Sequence, residues 1–445
     1  MKKNLVRKIL PTCFFTWTAP AGVEEVSVTV LDKFDELGKI GKGFNGYALR
    51  KTGAAYAWGL GTSGQLGDVT IVSKSTPVPV SGGLSFVSIA GGSGHAVALR
   101  ADGNAYAWGI GTNGQIGDNT LTNKSAPTLV AGGHSFIQVS AGNGNSAGLK
   151  SNGSAWTWGT NTTGALGTNN VTTTSSPVPV VGGHSFIQLA ISDSVTTGSN
   201  FAAGLKADGS LWTWGTNTNG QLGDNTTINK SSPVQVIGGH SFIQFSLGAN
   251  HILALKANGQ AWAWGQNNAG QLGNGNSDIG GFANESSPIQ VIGGHSFVKV
   301  SAGLIISAAI KENGDVFTWG NGLQGALGRP GIEESPAVVS GGHSFINIEA
   351  GNSAMIALKA NGQLWSWGLN TNGMLGDNTT TLRSSPVQVV STFSFEAGVQ
   401  YSNRQVFNVI PGTTYNFNSF FTNIGSQLMV SNAQNDSYLI LEYYA

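Results

Sequence analysis

Hydrophobic and polar positions alternate over short stretches through most of the chain, and turn-forming residues separate these stretches. One representative unit, which begins at Phe201, is FAAGLKADGSLWTWGTNTNGQLGDNTTINKSSPVQVIGGHSFIQF. Residues two apart lie on one face of a β-strand, and Asp-Gly or Asn-Gly accepts the positive φ angles of a tight hairpin turn. The pattern therefore predicts short strands joined by hairpins, and nothing in the unit predicts a helix longer than a turn or two.

This unit recurs along the chain, and the recurrence predicts the fold. Trp-Gly occurs seven times with a period near 50 residues, at Trp58, Trp108, Trp158, Trp214, Trp264, Trp319 and Trp367. Four short strands in each of seven units predict an all-β fold, a seven-bladed β-propeller with four-stranded blades. Kelch propellers have a similar period and also use a double glycine, so they are the alternative at the level of the fold. The aromatic residue two positions before each of these tryptophans is expected to pack on the same strand face, between neighbouring sheets.

Two units are longer than the others, and their extra residues are the candidate recognition loops. They are Ser192–Asn200 and Asn274–Asn284. If Pro-Val-x-Val is the first strand of a blade, the first insertion lies between strands two and three and the second lies between strand four and the next blade. Both are then expected on one propeller face, opposite the Gly-Gly-His and Asp-Gly turns. Long loops on a rigid scaffold commonly carry recognition, although neutral drift in loop length is the alternative. The candidate binding residues are Asp193, Thr196, Asn200, Asp278, Phe282 and Asn284.

Five of the seven histidines occupy one repeat position, which raises the question of a metal site. They are His134, His184, His240, His295 and His343. One residue per blade at a peripheral turn should leave neighbours about 10–20 Å apart, whereas zinc–nitrogen bonds are ~2.0–2.1 Å long. We therefore expect no metal site and a structural imidazole that hydrogen-bonds to backbone. His95 and His251 occupy another repeat position and are also expected to be structural.

The repeated Leu-Gly-Asp-Asn-Thr loops could be mistaken for calcium sites. Calcium takes about 6–8 oxygen ligands, and each loop offers one acid, such as Asp118, Asp224 or Asp377. An Asx-type turn is the simpler prediction. The sequence also shows no phosphate-binding glycine loop, no convergent acid pair and no pattern that would activate Cys13 as a nucleophile. We therefore expect a protein that is not an enzyme, with no catalytic residue and no cofactor.

Composition narrows the classes of partner. Charged residues make up 10% of the chain and the formal net charge is zero, which disfavours binding to nucleic acid. Cys13 is the single cysteine, so no internal disulfide framework can form. No apolar run approaches the ~18 residues of a membrane span. The start, MKKNLVRKIL, resembles the charged region of a signal peptide, but Pro11 interrupts the apolar stretch and we expect no cleavage.

The two ends of the chain do not fit the repeated unit. Val26, Val28 and Val30 alternate with polar residues near the N-terminus, and the chain finishes on the apolar stretch YLILEYYA. We predict that residues 1–43 and 391–445 are the two halves of a split β-domain, a small β-sandwich-like element, and that residues 44–390 form the propeller. The alternative is that both ends add strands to one closing blade.

The repeated motifs resemble a known family. WGTNTNGQLGDNT from Trp214 and WGQNNAGQLGNGN from Trp264 are similar to the regulator of chromosome condensation repeat, and the resemblance covers all seven units. It implies a seven-bladed propeller. Members include a nucleotide-exchange factor for a small GTPase, ubiquitin ligase modules, a photoreceptor and many uncharacterised bacterial and phage proteins. The resemblance therefore does not select a function.

The ends resemble a different domain. The stretch from Trp17 to Val23 contains Pro20-Ala21-Gly22, and Pro411-Gly412 precedes Tyr415, as in the small β-domain at the tips of phage tail fibres and some bacterial surface proteins. This resemblance implies a phage virion protein of the tail or fibre apparatus. Its terminal domain would bind other virion proteins, and its propeller would bind a host glycan or surface protein. The alternatives are a bacterial surface or secreted adhesin and a regulator similar to the GTPase exchange factors.

Overall fold

The computed structural model describes residues 45–50, 52–193, 200–276 and 284–390 with their side chains, and the backbone of six further strands nearer the two ends. Three of those strands precede the repeats: β1 (Lys3–Ile9), β2 (Thr16–Thr18) and β3 (Glu25–Leu31). The other three follow them: β31 (Gln405–Asn408), β32 (Thr414–Asn416) and β33 (Tyr438–Tyr444).

Between these ends, seven antiparallel sheets follow one another along the chain, and each is a blade of the predicted propeller. The first strands of blades two to seven contact one another around the axis. They are β7 (Ser88–Gly91), β11 (Gln138–Ala141), β15 (Gln188–Ile191), β19 (Gln244–Leu247), β23 (Lys299–Ala302) and β27 (Asn347–Ala350). The second strands are β4 (Asn45–Leu49), β8 (His95–Leu99), β12 (Asn145–Leu149), β16 (Phe201–Leu205), β20 (His251–Leu255), β24 (Ile306–Ile310) and β28 (Ala354–Leu358).

The two outer strands of each blade follow in the same order. The third strands are β5 (Ala55–Gly59), β9 (Ala105–Gly109), β13 (Ala155–Gly159), β17 (Leu211–Gly215), β21 (Ala261–Gly265), β25 (Val316–Asn321) and β29 (Leu364–Gly368). The fourth strands are β6 (Lys74–Pro79), β10 (Lys124–Leu129), β14 (Thr174–Pro179), β18 (Lys230–Gln235), β22 (Glu285–Gln290), β26 (Ile332–Val338) and β30 (Arg383–Gln388). A single 3₁₀ turn, η1 (Thr371–Gly373), is the only helical element of the described residues.

The grouping of strands differs from the sequence-based one. The Pro-Val-x-Val stretch pairs with the Trp-Gly strand before it, as Val178 does with Thr157, and is therefore the last strand of its blade. The Gly-Gly-His segment then leads into the next blade. Alternating hydrophobicity identifies strands but does not specify which neighbour each one bonds to. The prediction that both insertions share a face does not depend on this grouping, because antiparallel strands still alternate in direction.

Each hydrophobic core lies between two neighbouring blades. One cluster joins Val97 and Leu99 of the second blade to Phe136, Val139 and Trp158 of the third. The backbone approaches so closely here that a Cβ on Gly148 would lie 2.5 Å from the Phe136 ring. As predicted, Trp156 packs on the same cluster as Trp158. No blade can therefore bury its apolar faces alone, and stability requires the stack of neighbours.

Every fourth strand carries a proline and forms the outer edge of its sheet. The prolines are Pro77, Pro127, Pro177, Pro233, Pro288, Pro336 and Pro386. The register between strands three and four also shifts in each blade, for example between Thr157 and Gly159. Proline lacks the N–H that a further strand would need, and an irregular register disturbs the edge. Both features protect the rim from edge-to-edge association.

Strands from the two ends of the chain pair with each other. One sheet has the order β1-β33-β3-β31, and a second contains β2 and β32. The chain divides into two compact units, Glu36–Leu49 with Gly53–Val390, and Met1–Asp35 with Arg50–Thr52 and Ser391–Ala445. That the ends form an independent split β-domain, with boundaries at 43/44 and 390/391, stays a prediction.

Candidate functional site

The propeller has two faces that differ in their connections. The turns between strands one and two and between strands three and four open on one face, which we call the loop face. The turns between strands two and three and the Gly-Gly-His connections open on the other, the turn face. The first insertion joins β15 to β16 and the second joins β21 to β22. Both insertions therefore begin and end on the loop face, as the alternation of strands predicted.

Hydrogen bonds inside the propeller hold both ends of the first insertion. Asp193 and Asn200 are each only 1% exposed. The Asp193 Oδ1 atom accepts hydrogen bonds from the backbone N–H of Ser93, at 3.0 Å, and from its hydroxyl. Asn200 Nδ2 donates to the carbonyl of Asn143, at 2.6 Å. Thr196 lies outside the described residues. The predicted contact of these residues with a ligand stays a prediction, whereas Asp193 and Asn200 demonstrably anchor the loop.

The Asp193 contact joins blades that are not adjacent. Ser93 belongs to the second blade and Asp193 to the fourth. Burial and then the charge of Asp193 raise the pKa of Tyr47, which lies on the first blade. The carboxylate therefore lies near residues of three blades, which only a position close to the axis allows.

The second insertion ends at a residue with a structural role. Asn284 Oδ1 accepts a hydrogen bond from the backbone N–H of Asn267 at 3.0 Å, and its Nδ2 donates to Asn219 Oδ1 at 3.1 Å. Asn229 makes the first of these contacts in the preceding blade, to the N–H of Asn217 at 2.8 Å. Asn284 is therefore the normal repeat residue after the extra segment. Asp278 and Phe282 lie outside the described residues.

The Asp118, Asp224 and Asp377 turns of the loop face have the predicted Asx geometry. Asp118 Oδ1 accepts hydrogen bonds from the Thr120 N–H and hydroxyl, and Asp118 Oδ2 lies 2.9 Å from Lys124 Nζ. Burial alone would raise the pKa of Asp118, but hydrogen bonds from Lys124 and Thr120 lower it below its usual value. Two other blades repeat the ion pair, Lys230 with Asp224 at 3.4 Å and Arg383 with Asp377 at 2.7 Å.

The five turn-face histidines pack against aromatic rings at tilted angles, and the predicted hydrogen bond to backbone is not among their described contacts. The imidazole of His184 lies 4.4 Å from the Trp212 ring and 5.4 Å from the Phe186 ring, measured between centroids. The same tilted packing occurs at His134, His240, His295 and His343. The prediction of a backbone hydrogen bond was wrong because it overlooked the aromatic residue that the neighbouring third strand places beside each turn.

A lysine completes each of these aromatic clusters, and sequence reasoning missed it. The ammonium groups lie 4.1–4.5 Å from the ring centroids of the third-strand aromatics. The residues are Lys150, Lys206, Lys256, Lys311 and Lys359. Burial, and secondly the neighbouring lysine, lower the pKa of each histidine. The signal was available, because Lys or Arg follows the second strand in all seven units.

His95 is buried between blades and is structural, as predicted. Ser146 donates its hydroxyl hydrogen to the carbonyl of Gln115 at 2.8 Å, so it accepts one from His95 Nε2 at 2.7 Å. Burial lowers the pKa of His95 to about 3, and the ring is therefore neutral at physiological pH. His251 repeats the contact with Ser307 at 2.9 Å.

Neither a metal-binding cluster nor a membrane-spanning helix is present among the described residues. They contain no group of three or more His, Cys, Asp or Glu side chains placed to bind a metal ion. None of their helices combines the length and the apolar character that a bilayer crossing requires.

The chain resembles several solved structures in fold. It is 20% identical to the structure titled Prp20p from Saccharomyces cerevisiae and its binding properties to Gsp1p and histones, with 84% of this chain and 88% of that chain covered and a TM-score of 0.67. Human WBSCR16 is 19% identical, with 83% and 94% covered and a TM-score of 0.66. Yeast RCC1 (Prp20) in complex with Kap60 is 17% identical, with 96% and 90% covered and a TM-score of 0.67. At this level of identity the likeness concerns the fold.

A search of curated proteins found no match. The family model of the regulator of chromosome condensation (RCC1) repeat matches seven segments, at 52–99, 102–149, 152–203, 208–255, 258–310, 313–358 and 361–401. A second model of the same repeat matches five segments, at 86–115, 136–165, 193–221, 242–271 and 345–373. Each of the first six matched segments joins the outer strands of one blade to the inner strands of the next, in agreement with the cores between blades. The chain therefore belongs to the RCC1 repeat family.

Proposed function

We propose that this chain is a non-enzymatic binding protein of a phage virion, in the tail or fibre apparatus, and that its loop face recognises a host glycan or surface protein. One observation carries the proposal: the two longest departures from the repeat open on the same face of a rigid ring. The first is anchored at both ends, by Asp193 to Ser93 and by Asn200 to Asn143. An anchored loop can present its middle to a ligand with little loss of conformational entropy on binding.

The assignment to a virion is supported by the terminal segments. Trp17 and Tyr415 belong to the motifs that resemble the phage tail-fibre domain, and the strands that contain them pair directly. The paired ends would bind other virion proteins and leave the propeller free for the host. The same motifs occur in bacterial surface proteins, so a bacterial surface or secreted adhesin is the competing assignment.

A regulator of a small GTPase is the candidate from another class. Prp20p, whose fold this chain shares, is described as binding Gsp1p and histones. This chain has no net charge and 10% charged residues, which suits histone or chromatin partners poorly. Acceleration of nucleotide release from a small GTPase would favour this candidate over the virion proposal.

The experiment has two parts. Mass spectrometry of purified virions, washed cells and culture medium should recover the chain in virions at a fixed ratio to the other tail proteins. Recovery from cells or medium alone would contradict the virion assignment. Purified chain should also compete with phage adsorption to host cells, and deletion of residues 194–199 or 277–281 should abolish the competition. Ile137→Ser on the turn face is the matched control and should compete as well as the unaltered chain.

A further inference from the structure

Six exposed branched aliphatic side chains surround the axis on the turn face. Each stands immediately before the first strand of its blade and is 49–60% exposed. We call this set the collar: Val87, Ile137, Ile187, Ile243, Val298 and Ile346. The backbone N–H of each donates to the last carbonyl of the second strand at 2.7–2.8 Å, as Ile137 does to Leu149. Because the first strand is the innermost of each blade, the collar surrounds the mouth of the axis.

A ring of cations lies directly outside the collar. The last residue of each second strand, whose carbonyl accepts this bond, is followed by a basic residue. Arg100 and the five lysines of the aromatic clusters therefore lie around the collar. We call these six residues the basic ring. The aromatic ring beneath each lysine restricts the position of its ammonium group.

These five lysines differ from the cations of the loop face. Within the described part of the chain, none of the five has a carboxylate within 4.0 Å. On the loop face, by contrast, Lys124, Lys230 and Arg383 are each paired with an aspartate of their own loop. The turn face therefore carries cations that are available to carboxylates of another molecule.

An apolar centre inside a charged rim is the usual arrangement of a protein interface. Single exposed aliphatic residues are ordinary, but a patch repeated at one place in six consecutive blades is not. We propose that the turn face binds a protein partner that packs apolar side chains into the collar and places carboxylates against the basic ring. This interaction is independent of host recognition by the loop face and would make the propeller a two-sided adaptor.

The distribution of charge favours a protein over other anionic partners. The same turns carry the carboxylates Asp102, Asp208, Glu312 and Asp315 against seven cations, Arg50 and the basic ring, so the described residues of this face have an excess of only three positive charges. Nucleic acid and anionic bilayers are held by a large excess of cations, and both would be repelled by these carboxylates. The aromatic rings are already contacted by lysine and histidine, so they offer little surface to bases or sugars. A protein can match cations and carboxylates one by one.

The proposal is tested with the full chain and defined probes. The main probe is a fluorescent peptide of alternating Glu and Leu, compared with peptides in which Gln replaces Glu or Ser replaces Leu. Vesicles of phosphatidylcholine and phosphatidylserine and a DNA duplex are the other probes. One variant carries Ile137→Ser, Ile187→Ser and Ile243→Ser, and a second carries Lys150→Gln, Lys206→Gln and Lys256→Gln. The control, Leu121→Ser with Val171→Ser and Ile228→Ser, removes the same number of exposed aliphatic groups from the loop face.

We expect the Glu-Leu peptide to bind more tightly than either altered peptide. Each turn-face variant should lose about tenfold or more in affinity, and the control should stay within about twofold of the unaltered chain. Unchanged far-ultraviolet circular dichroism should show that all variants are folded. Equal binding by the collar variant and the unaltered chain would overturn the proposal. So would tighter binding of vesicles or DNA than of the peptide, or no preference for Glu over Gln.

Discussion

The indole nitrogen of Trp58 donates a hydrogen bond of 2.9 Å to the carbonyl of Met374, 316 residues later in the chain. The other six Trp-Gly tryptophans make the same contact with the preceding blade, at 2.9–3.1 Å. Six of the seven bonds therefore join blades that are consecutive in the chain, and the Trp58 bond joins the last blade to the first. It is one of the contacts that close the ring, together with the bond from the Asn378 N–H to the Ser75 carbonyl.

Replacing Trp58 with Phe should destabilise the propeller as strongly as the same change inside the ring. The substitution removes a buried hydrogen bond and part of a fully buried ring, a loss of about 2–4 kcal/mol in the free energy of unfolding. Trp158→Phe, which loses the bond to the Gln115 carbonyl at 2.9 Å, is the matched control. Urea unfolding followed by fluorescence measures both. A much smaller loss for Trp58→Phe would mean that the first and last blades do not pack as described.

Val69 is expected to store backbone strain. Its φ angle is 63°, in the left-handed region, where Asn119, Asn169, Asn225 and Asn378 stand at the same position of other blades. A β-branched residue is unfavourable there by roughly 1–2 kcal/mol, whereas asparagine adopts this conformation readily. Val69→Asn should therefore raise the free energy of unfolding by about 1 kcal/mol. The reverse substitution, Asn119→Val, should lower it by a similar amount. If neither substitution changed the free energy of unfolding in urea, the turn would be shown to relax without strain.

His95 should make the propeller less stable in acid. Its pKa is about 3 in the folded protein, below the ordinary 6.5, because it is buried. The unfolded chain takes up a proton as the pH falls below 6.5, whereas the folded chain does not. The contribution of His95 to the free energy of unfolding is therefore fully present above pH 6.5 and is lost as the pH falls toward 3. The expected loss is about 1.4 kcal/mol per pH unit within this window.

His95→Asn isolates this contribution. Asparagine already occupies the position as Asn145 in the next blade. The variant should have a lower free energy of unfolding than the unaltered chain near neutral pH. This difference should shrink by about 2–3 kcal/mol between pH 7 and pH 4.5. His134→Asn is the control, since that ring is only partly buried and the corresponding difference should change less with pH. If the free energies of unfolding of His95→Asn and of the unaltered chain changed in parallel with pH, a neutral, buried His95 would be contradicted.

Lys206 should influence the titration of His184 across the shared Trp212 ring. Burial first, and the charge of Lys206 second, lower the pKa of His184 below its usual value. Lys206→Gln removes the second contribution, so the pKa of His184 should rise toward 6.5 while burial keeps it below. Nuclear magnetic resonance of the imidazole Cε1 proton measures the shift. Lys230→Gln, on the loop face, should leave the titration of His184 unchanged.

The limits of sequence reasoning are visible at particular residues. Seven Trp-Gly pairs predicted seven blades, because each tryptophan fills the same gap between sheets. The partner of Trp58 could not be read from a local pattern, since it depends on closure of the whole ring. Thr157 and Val178 pair although the blade was expected to begin at Pro-Val-x-Val, because alternation does not encode which strands bond. Asp193 was a candidate ligand residue because insertions usually expose polar side chains, and only the folded ring brings Ser93 to it.

The contact between Ser93 and Asp193 should behave as an energetically coupled pair. Both bonds to the carboxylate come from one residue two blades away, and hydrogen bonds to a buried charge contribute about 1.5–3 kcal/mol. Combining Ser93→Ala with Asp193→Ala in urea unfolding should give a coupling energy of about 1–2 kcal/mol, because the backbone N–H of Ser93 remains in the single variant. Ser93→Ala combined with Asp224→Ala, whose carboxylate is paired with Lys230, should be additive within about 0.5 kcal/mol. Additivity in both pairs would mean that Asp193 does not anchor the loop across the axis. Coupling in the first pair alone would establish that anchor, and the loop-deletion variants could then be interpreted as losses of the presented segment rather than of the ring.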